Sequence, residues 1–75
     1  MKEKIINIIS EVLSVAVNEN TSQATCEKWD SLQHLNIVVA LEEEFNLSFE
    51  PEEIALMKDI DIIEQMINQK SHDPI

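Results

Sequence analysis

A chain of 75 residues with a single cysteine makes one small domain without a disulfide staple, leaving no room for an enclosed catalytic cleft. Fifteen acidic residues against five basic ones, all lysine, give a formal net charge of −10, which argues against nucleic-acid recognition because that needs clustered Lys and Arg. Glycine is absent, which removes dinucleotide fingerprints, phosphate-cradling P-loops and Asn-Gly hairpin turns together.

The lone thiol, Cys26, suits a reducing compartment, and neither a signal peptide nor a transmembrane run is expected. The longest nearly apolar run, Leu35 to Leu41, falls well short of the roughly 20 residues that span a bilayer. A cytoplasmic monomer with no membrane segment is expected, its acidic surface keeping it soluble or meeting basic partners.

The first helix is expected from about Lys2 to Val15. Ile5, Ile6, Ile9, Val12, Leu13 and Ala16 recur at helical spacing on one face, and period-two alternation fails. Periodicity lapses from about Val17 to Trp29, where Asn18, Glu19, Asn20, Thr21, Ser22 and Gln23 are turn formers. Long loops in small domains are usually functional or disordered, and this one leads straight into Asp30-Ser31. Val17, Ala24 and Trp29 are the residues able to pin it to a core.

Asp30 is a good N-cap, and Gln33 three residues later completes a capping-box pattern. Ser31 then takes the first helical position. The second helix runs through Leu32, Leu35, Ile37, Val38, Val39, Ala40, Leu41 and Phe45, with Asn46 suited to end it in the left-handed conformation. Leu47 and Phe49 should tuck inward. Glu50-Pro51-Glu52-Glu53 opens a short third helix, with Pro in the first turn, acids at the positive dipole end, and apolar contacts from Ile54, Ala55 and Met57. Asp59 or Asp61 caps a last helix whose Ile62, Ile63, Met66 and Ile67 face inward, and the tail from Ser71 to Ile75 should fray. The expected architecture is all-α: a single domain over 1–75, a small four-helix bundle with a long loop between helices 1 and 2 and a short helix 3.

The second helix is greasier than one small core requires. At about 100° per residue, Leu32, Leu35 and Val39 fall within roughly 60° of one another, and Ile37, Val38, Leu41 and Phe45 form a stripe nearly opposite. The second stripe has no carboxylate at its centre and is assigned to the core. The first shares its side with Asn36, Glu42 and Glu43 and is assigned to a partner-facing patch, since exposed apolar patches with polar rims mark interaction surfaces. The competing expectation is that the long loop covers it.

Ser31, Asp30 and His34 invite comparison with a hydrolase triad. No oxyanion hole is identifiable and Asp30 is needed as a cap, so His34 is read as a surface or boundary histidine. Cys26 has no evident activating base. Asp59, Asp61 and Glu64 lack the glycine and spacing of a calcium loop, and no specific metal site is expected. A serine hydroxyl at a helix N-terminus does suit attachment of a phosphate ester, whose charge the dipole and free N–H groups stabilise.

Trp29-Asp30-Ser31-Leu32, followed by His34-Leu35 and then Ala40-Leu41-Glu42-Glu43-Glu44-Phe45, resembles the acyl carrier protein family. The resemblance extends over nearly the whole chain in helix order, the long first loop, the acidic second helix and the short third helix. It implies a non-enzymatic, free-standing carrier in which Ser31 bears a 4′-phosphopantetheine arm donated from coenzyme A by a phosphopantetheinyl transferase. Asp30 would help position that enzyme's metal and the cofactor phosphates. It also implies that Leu32, Leu35, Asn36, Val39, Glu42 and Glu43 dock on basic patches of acyl-processing enzymes. Ile37, Leu41, Phe45, Phe49 and Ile54 would line the sequestered acyl chain. Lys28, where fatty-acid carriers typically have Gly, and Trp29 before the Asp make the sequence look more like carriers of polyketide-type or other specialised pathways. The alternative is a carrier-like acidic helical module that binds a basic partner without any arm.

Overall fold

Ile5, Ile9 and Leu13, spaced every four residues, form the buried stripe of α1 (Lys2–Leu13), with Ile6, Ile8 and Val12 half-buried beside it. The helix stops earlier than its periodicity predicts. Ser14 turns left-handed (φ 58°, ψ 36°) and its N–H closes on the Ser10 carbonyl, so that Val15 and Val17 fold back against the core while Ala16 is left exposed. In a chain without glycine, Ser14 and Asn46 take the two positive-φ positions among the described residues.

The computed structural model describes residues 1–71 and is all-helical, with α2 (Ser31–Phe45), α3 (Pro51–Leu56) and α4 (Ile60–Ser71) following α1. Among the described residues the only extended pairing is an isolated antiparallel bridge between Ser22 and Asp59. Ser71 closes α4; the rest of the tail expected to fray lies outside the described residues.

The connection from α1 to α2 has a fixed course. Asn18 Oδ1 accepts the Asn20 N–H at 2.8 Å, Thr21 Oγ1 accepts the Asn18 N–H at 3.0 Å, and Thr25 Oγ1 accepts the Ser22 N–H at 3.0 Å. These short polar side chains replace a ladder with local turns. The Gln23 N–H donates to the Lys58 carbonyl at 2.8 Å, tying the loop to the α3–α4 junction. Val17, Cys26 and Trp29 pin it inward, and Trp29 is essentially fully buried; Ala24, expected to share that work, is exposed because its neighbours bond to the junction instead.

α1 packs against both α2 and α4. Lys2 reaches Asp61 at 2.8 Å across α1 and α4, and Lys4 reaches Glu44 at 3.1 Å across α1 and the end of α2. α2 therefore runs antiparallel to α1, with Ser31 at the end of the bundle away from Lys4. α3 has no fully buried residue: Ile54 is half-buried, Ala55 exposed, and the inward contact comes from Met57 just beyond the helix. Asp59, not Asp61, caps α4, accepting the Ile62 N–H at 2.8 Å. Capping there brings Ile60, Ile63 and Ile67 fully inward and leaves Ile62 and Met66 half-buried at the flank.

Candidate functional site

The mouth of α2 is built by Asp30. Its backbone is extended (φ −91°, ψ −176°), and its Oδ1 accepts the Gln33 N–H at 2.8 Å. Only this half of the expected capping box forms, because the Gln33 side chain turns along the helix to accept from Asn36 Nδ2 at 3.2 Å. Ser31 follows as the first helical residue and is exposed. The first N–H groups of a helix have no intrahelical acceptor, and the macrodipole makes that end positive. The hydroxyl of Ser31 thus stands free in water, in a field that favours an anion.

Behind the mouth lies a buried polar bridge. Trp29 Nε1–H donates to His34 Nδ1 at 2.9 Å, and the rings stack with centroids 6.1 Å apart. His34 Nε2 lies 2.8 Å from the Ile54 carbonyl, which can only accept, so the proton sits on Nε2 and Nδ1 is the acceptor. His34 is only 8 % exposed, and the reading of it as a surface or boundary residue is corrected here. Its burial follows from pairing: an imidazole bonded at both nitrogens carries little desolvation penalty. The signal was present in the sequence, since on the helical wheel His34 falls between Leu41 and Phe45. Both ring nitrogens being occupied, this imidazole has none free to take a proton from Ser31. One side chain thus joins the residue before Asp30, the first turn of α2 and α3.

The two faces of α2 separate as the wheel predicts. Ile37, Val38 and Leu41 are buried and Phe45 packs half-buried against them, with Lys4 Nζ 5.7 Å from its ring centre. Leu32, Leu35 and Val39 are 68, 53 and 52 % exposed, so the long loop does not cover them, and Leu56 of α3 is another exposed apolar side chain. Asn36 and Glu43 are exposed on the same side of α2. Glu42 is different: half-buried, its Oε2 accepts the Phe49 N–H at 2.9 Å and holds the segment after α2 in place. Of the residues assigned to an acyl chain, Ile37, Leu41 and Phe49 are buried in the core, while Phe45 and Ile54 are half-buried.

Surface hollows lie at two places among the described residues. One, about 300 Å³, lies between α1 and α2 and is lined by Ile8, Glu11, Val12, Ala40, Glu43 and Glu44; the sequence pattern pointed to no hollow there, and placed Val12 on the apolar face of the first helix. The other, about 390 Å³, lies between the loop and the α3–α4 junction at Ser22, Gln23, Ala24, Lys58 and Asp59. Among the described residues no group of three or more His, Cys, Asp or Glu is placed to hold a metal ion, and no helix is long and apolar enough to cross a membrane.

Three of the five lysines are spent on internal ion pairs: Lys2 with Asp61, Lys4 with Glu44, and Lys70 with Glu53 at 3.0 Å. The Asp61 carboxylate raises the Lys2 ammonium above its ordinary value against a smaller opposing effect of burial. The Glu50 N–H, with Lys70 assisting, holds the Glu53 carboxyl below its ordinary value. The outer face of α2 carries no lysine. Comparison with models of known families finds no match to this chain, and comparison with curated proteins finds none either.

Proposed function

We propose that this chain is an acyl carrier of fatty-acid, polyketide or related specialised biosynthesis. Ser31 accepts a 4′-phosphopantetheine arm from coenzyme A through a phosphopantetheinyl transferase, and the outer face of α2 docks the enzymes that load and process the cargo. One observation carries this reading: an exposed serine at the first position of α2, next to an uncovered apolar stripe on the same helix.

The site fits the group. The Ser31 hydroxyl projects from the surface, so a bulky substituent joins it without disturbing the core. The first-turn N–H groups and the helix dipole favour the negative charge of a phosphodiester there. Asp30 uses one carboxylate oxygen in capping, which leaves the other for the transferase's metal ion. In the transfer, Ser31 Oγ forms the new P–O bond, the pyrophosphate bond of coenzyme A breaks to release adenosine 3′,5′-bisphosphate, and the hydroxyl proton passes to a base of the transferase. The attached arm supplies a terminal thiol that holds the acyl group as a thioester. Leu32, Leu35, Asn36 and Val39 provide the apolar and polar contact for docking, and Glu43 provides charge. Ile37, Leu41 and Phe49 are packed in the core, so an acyl chain reaches them only if the helices part, whereas Phe45 and Ile54 are half-buried.

The test separates this reading from an arm-free module that uses the same acidic face. Ser31→Ala should abolish modification by a transferase and abolish biological activity. Leu35→Glu should raise the transferase KM while leaving Ser31 modifiable at saturation. Full activity of Ser31→Ala in cells, with activity lost in Leu35→Glu, would favour the arm-free module instead.

A further inference from the structure

We infer that the Trp29–His34–Ile54 bridge closes the core to cargo tethered at Ser31, so that this chain carries short or polar acyl groups that stay in water. This rests on the carrier reading of Ser31 and deepens it by naming the class of cargo. His34 sets that class as a positioning residue, without touching any reacting atom.

Placement along α2 is the first observation. Ser31 opens the helix, and His34, one turn further in, is the first buried residue behind it. At about 100° per residue His34 falls within roughly 20° of Leu41, so it heads the buried stripe that continues through Ile37, Val38 and Leu41. A tethered chain that turned inward along that stripe would start at this ring.

The ring is fastened on both sides. Trp29 Nε1–H donates to Nδ1 at 2.9 Å, and Nε2–H donates to the Ile54 carbonyl at 2.8 Å, so one side chain ties the end of the loop and α3 to α2. Parting them leaves the indole N–H, which can only donate, without an acceptor inside the protein. α3 buries no residue fully, so packing alone does little to hold that side shut. Behind the bridge the core is full: Ile37, Leu41 and Met57 have no exposed surface. Room for a chain comes only from displacing close-packed side chains. What an acyl chain gains by leaving water grows with its apolar length, whereas the cost of breaking the bridge is fixed. Short chains gain too little to repay it, and chains bearing hydroxyl or carboxyl groups lose hydration as well.

The experiment attaches cargo without a transferase, so its outcome does not depend on whether Ser31 accepts a phosphopantetheine arm. Ser31→Cys in a Cys26→Ala background is alkylated with a bromoacetamide whose polar spacer ends in a methyl or a decyl group, the thiolate displacing bromide. With the bridge intact, the two tethers should leave the side-chain methyl resonances of Ile37, Leu41 and Met57 at the same positions and give the same Tm. The bridge is then removed from both ends by Trp29→Phe with His34→Leu, which orphans no group because the Ile54 carbonyl keeps the Met57 N–H at 3.2 Å. In that variant the decyl tether should shift the three residues' methyl resonances and raise Tm above that of the methyl-tethered form. Comparing two tethers within one background separates entry of the chain from any general loss of stability. Core methyl shifts caused by the decyl tether with the bridge intact would overturn the inference, and that comparison needs no substitution at the bridge. Unshifted methyls in a folded Trp29→Phe/His34→Leu chain would overturn it too, because something other than the bridge would then exclude the cargo. Failure of a transferase to modify Ser31 would instead contradict the carrier reading and leave these resonances as they are.

Discussion

The imidazole of His34 links three parts of the chain: the end of the loop, the first turn of α2, and α3. It receives the Trp29 indole N–H and bonds the Ile54 carbonyl, while its own backbone N–H closes the first helical turn onto the Asp30 carbonyl at 2.8 Å. His34→Ala leaves a buried indole donor without an acceptor, a loss of about 1–3 kcal/mol before any cavity is counted. Denaturant unfolding should show that loss, and the single tryptophan should report it through a red-shifted emission. Trp29→Phe removes the donor instead, so a double-mutant cycle should give a coupling of about 1 kcal/mol, and strict additivity would contradict the bridge. Sequence placed Trp29 inward and Asp30 as a cap, because each follows from one residue's own chemistry. The Trp29–His34 contact joins a residue outside the helix to one inside it, where no periodicity applies, and the pair was read separately.

At the scale of elements, α2 has one face that holds the fold and another free of that duty. Leu41→Ala or Ile37→Ala removes a fully buried side chain and should destabilise the protein by about 2–5 kcal/mol. Leu35→Ala or Val39→Ala should change stability by no more than about 0.5 kcal/mol, because both side chains are already about half in water. Comparable losses on the two faces, measured by urea titration, would contradict the assignment. This division was legible because a regular helix converts spacing directly into direction. The end of α1 was not: Ser14 adopts a left-handed turn without glycine, and the core contacts of Val15 and Val17 outweigh the helical pattern. α3 contributes no fully buried side chain and is held by the His34 bond, the Lys70–Glu53 pair and the Glu50 N–H bonded to Glu53 at 2.7 Å. Its amides should therefore exchange with deuterium sooner than those in the cores of α1, α2 and α4.

Across the whole molecule, an excess of ten negative charges repels itself in the compact state. Raising ionic strength from low values should raise Tm, and a flat response would contradict this account. Glu53 and Lys2 contribute at opposite ends of the pH range. Glu53 titrates lower in the folded protein than in the unfolded chain, so its contribution is present above its unfolded pKa and fades as pH falls through the folded value. Lys2 titrates higher when folded, so its contribution is complete below its unfolded pKa and fades as pH rises through the folded value. Glu53→Gln should accordingly flatten the acid limb of the stability curve and leave the alkaline limb unchanged. The same excess charge, legible from composition alone, pointed to basic partners. It could not show which acids are free, since that depends on the bonds Glu42 and Glu44 make after folding.

The account turns on Ser31 as a tether, and intact mass tests that most directly. The purified chain is incubated with coenzyme A, Mg²⁺ and a broad-specificity phosphopantetheinyl transferase beside its Ser31→Ala variant. The account predicts a gain of one phosphopantetheine group, mapped to the peptide containing Ser31 and absent from the variant. An unchanged mass with several transferases, or the same gain in Ser31→Ala, would contradict it.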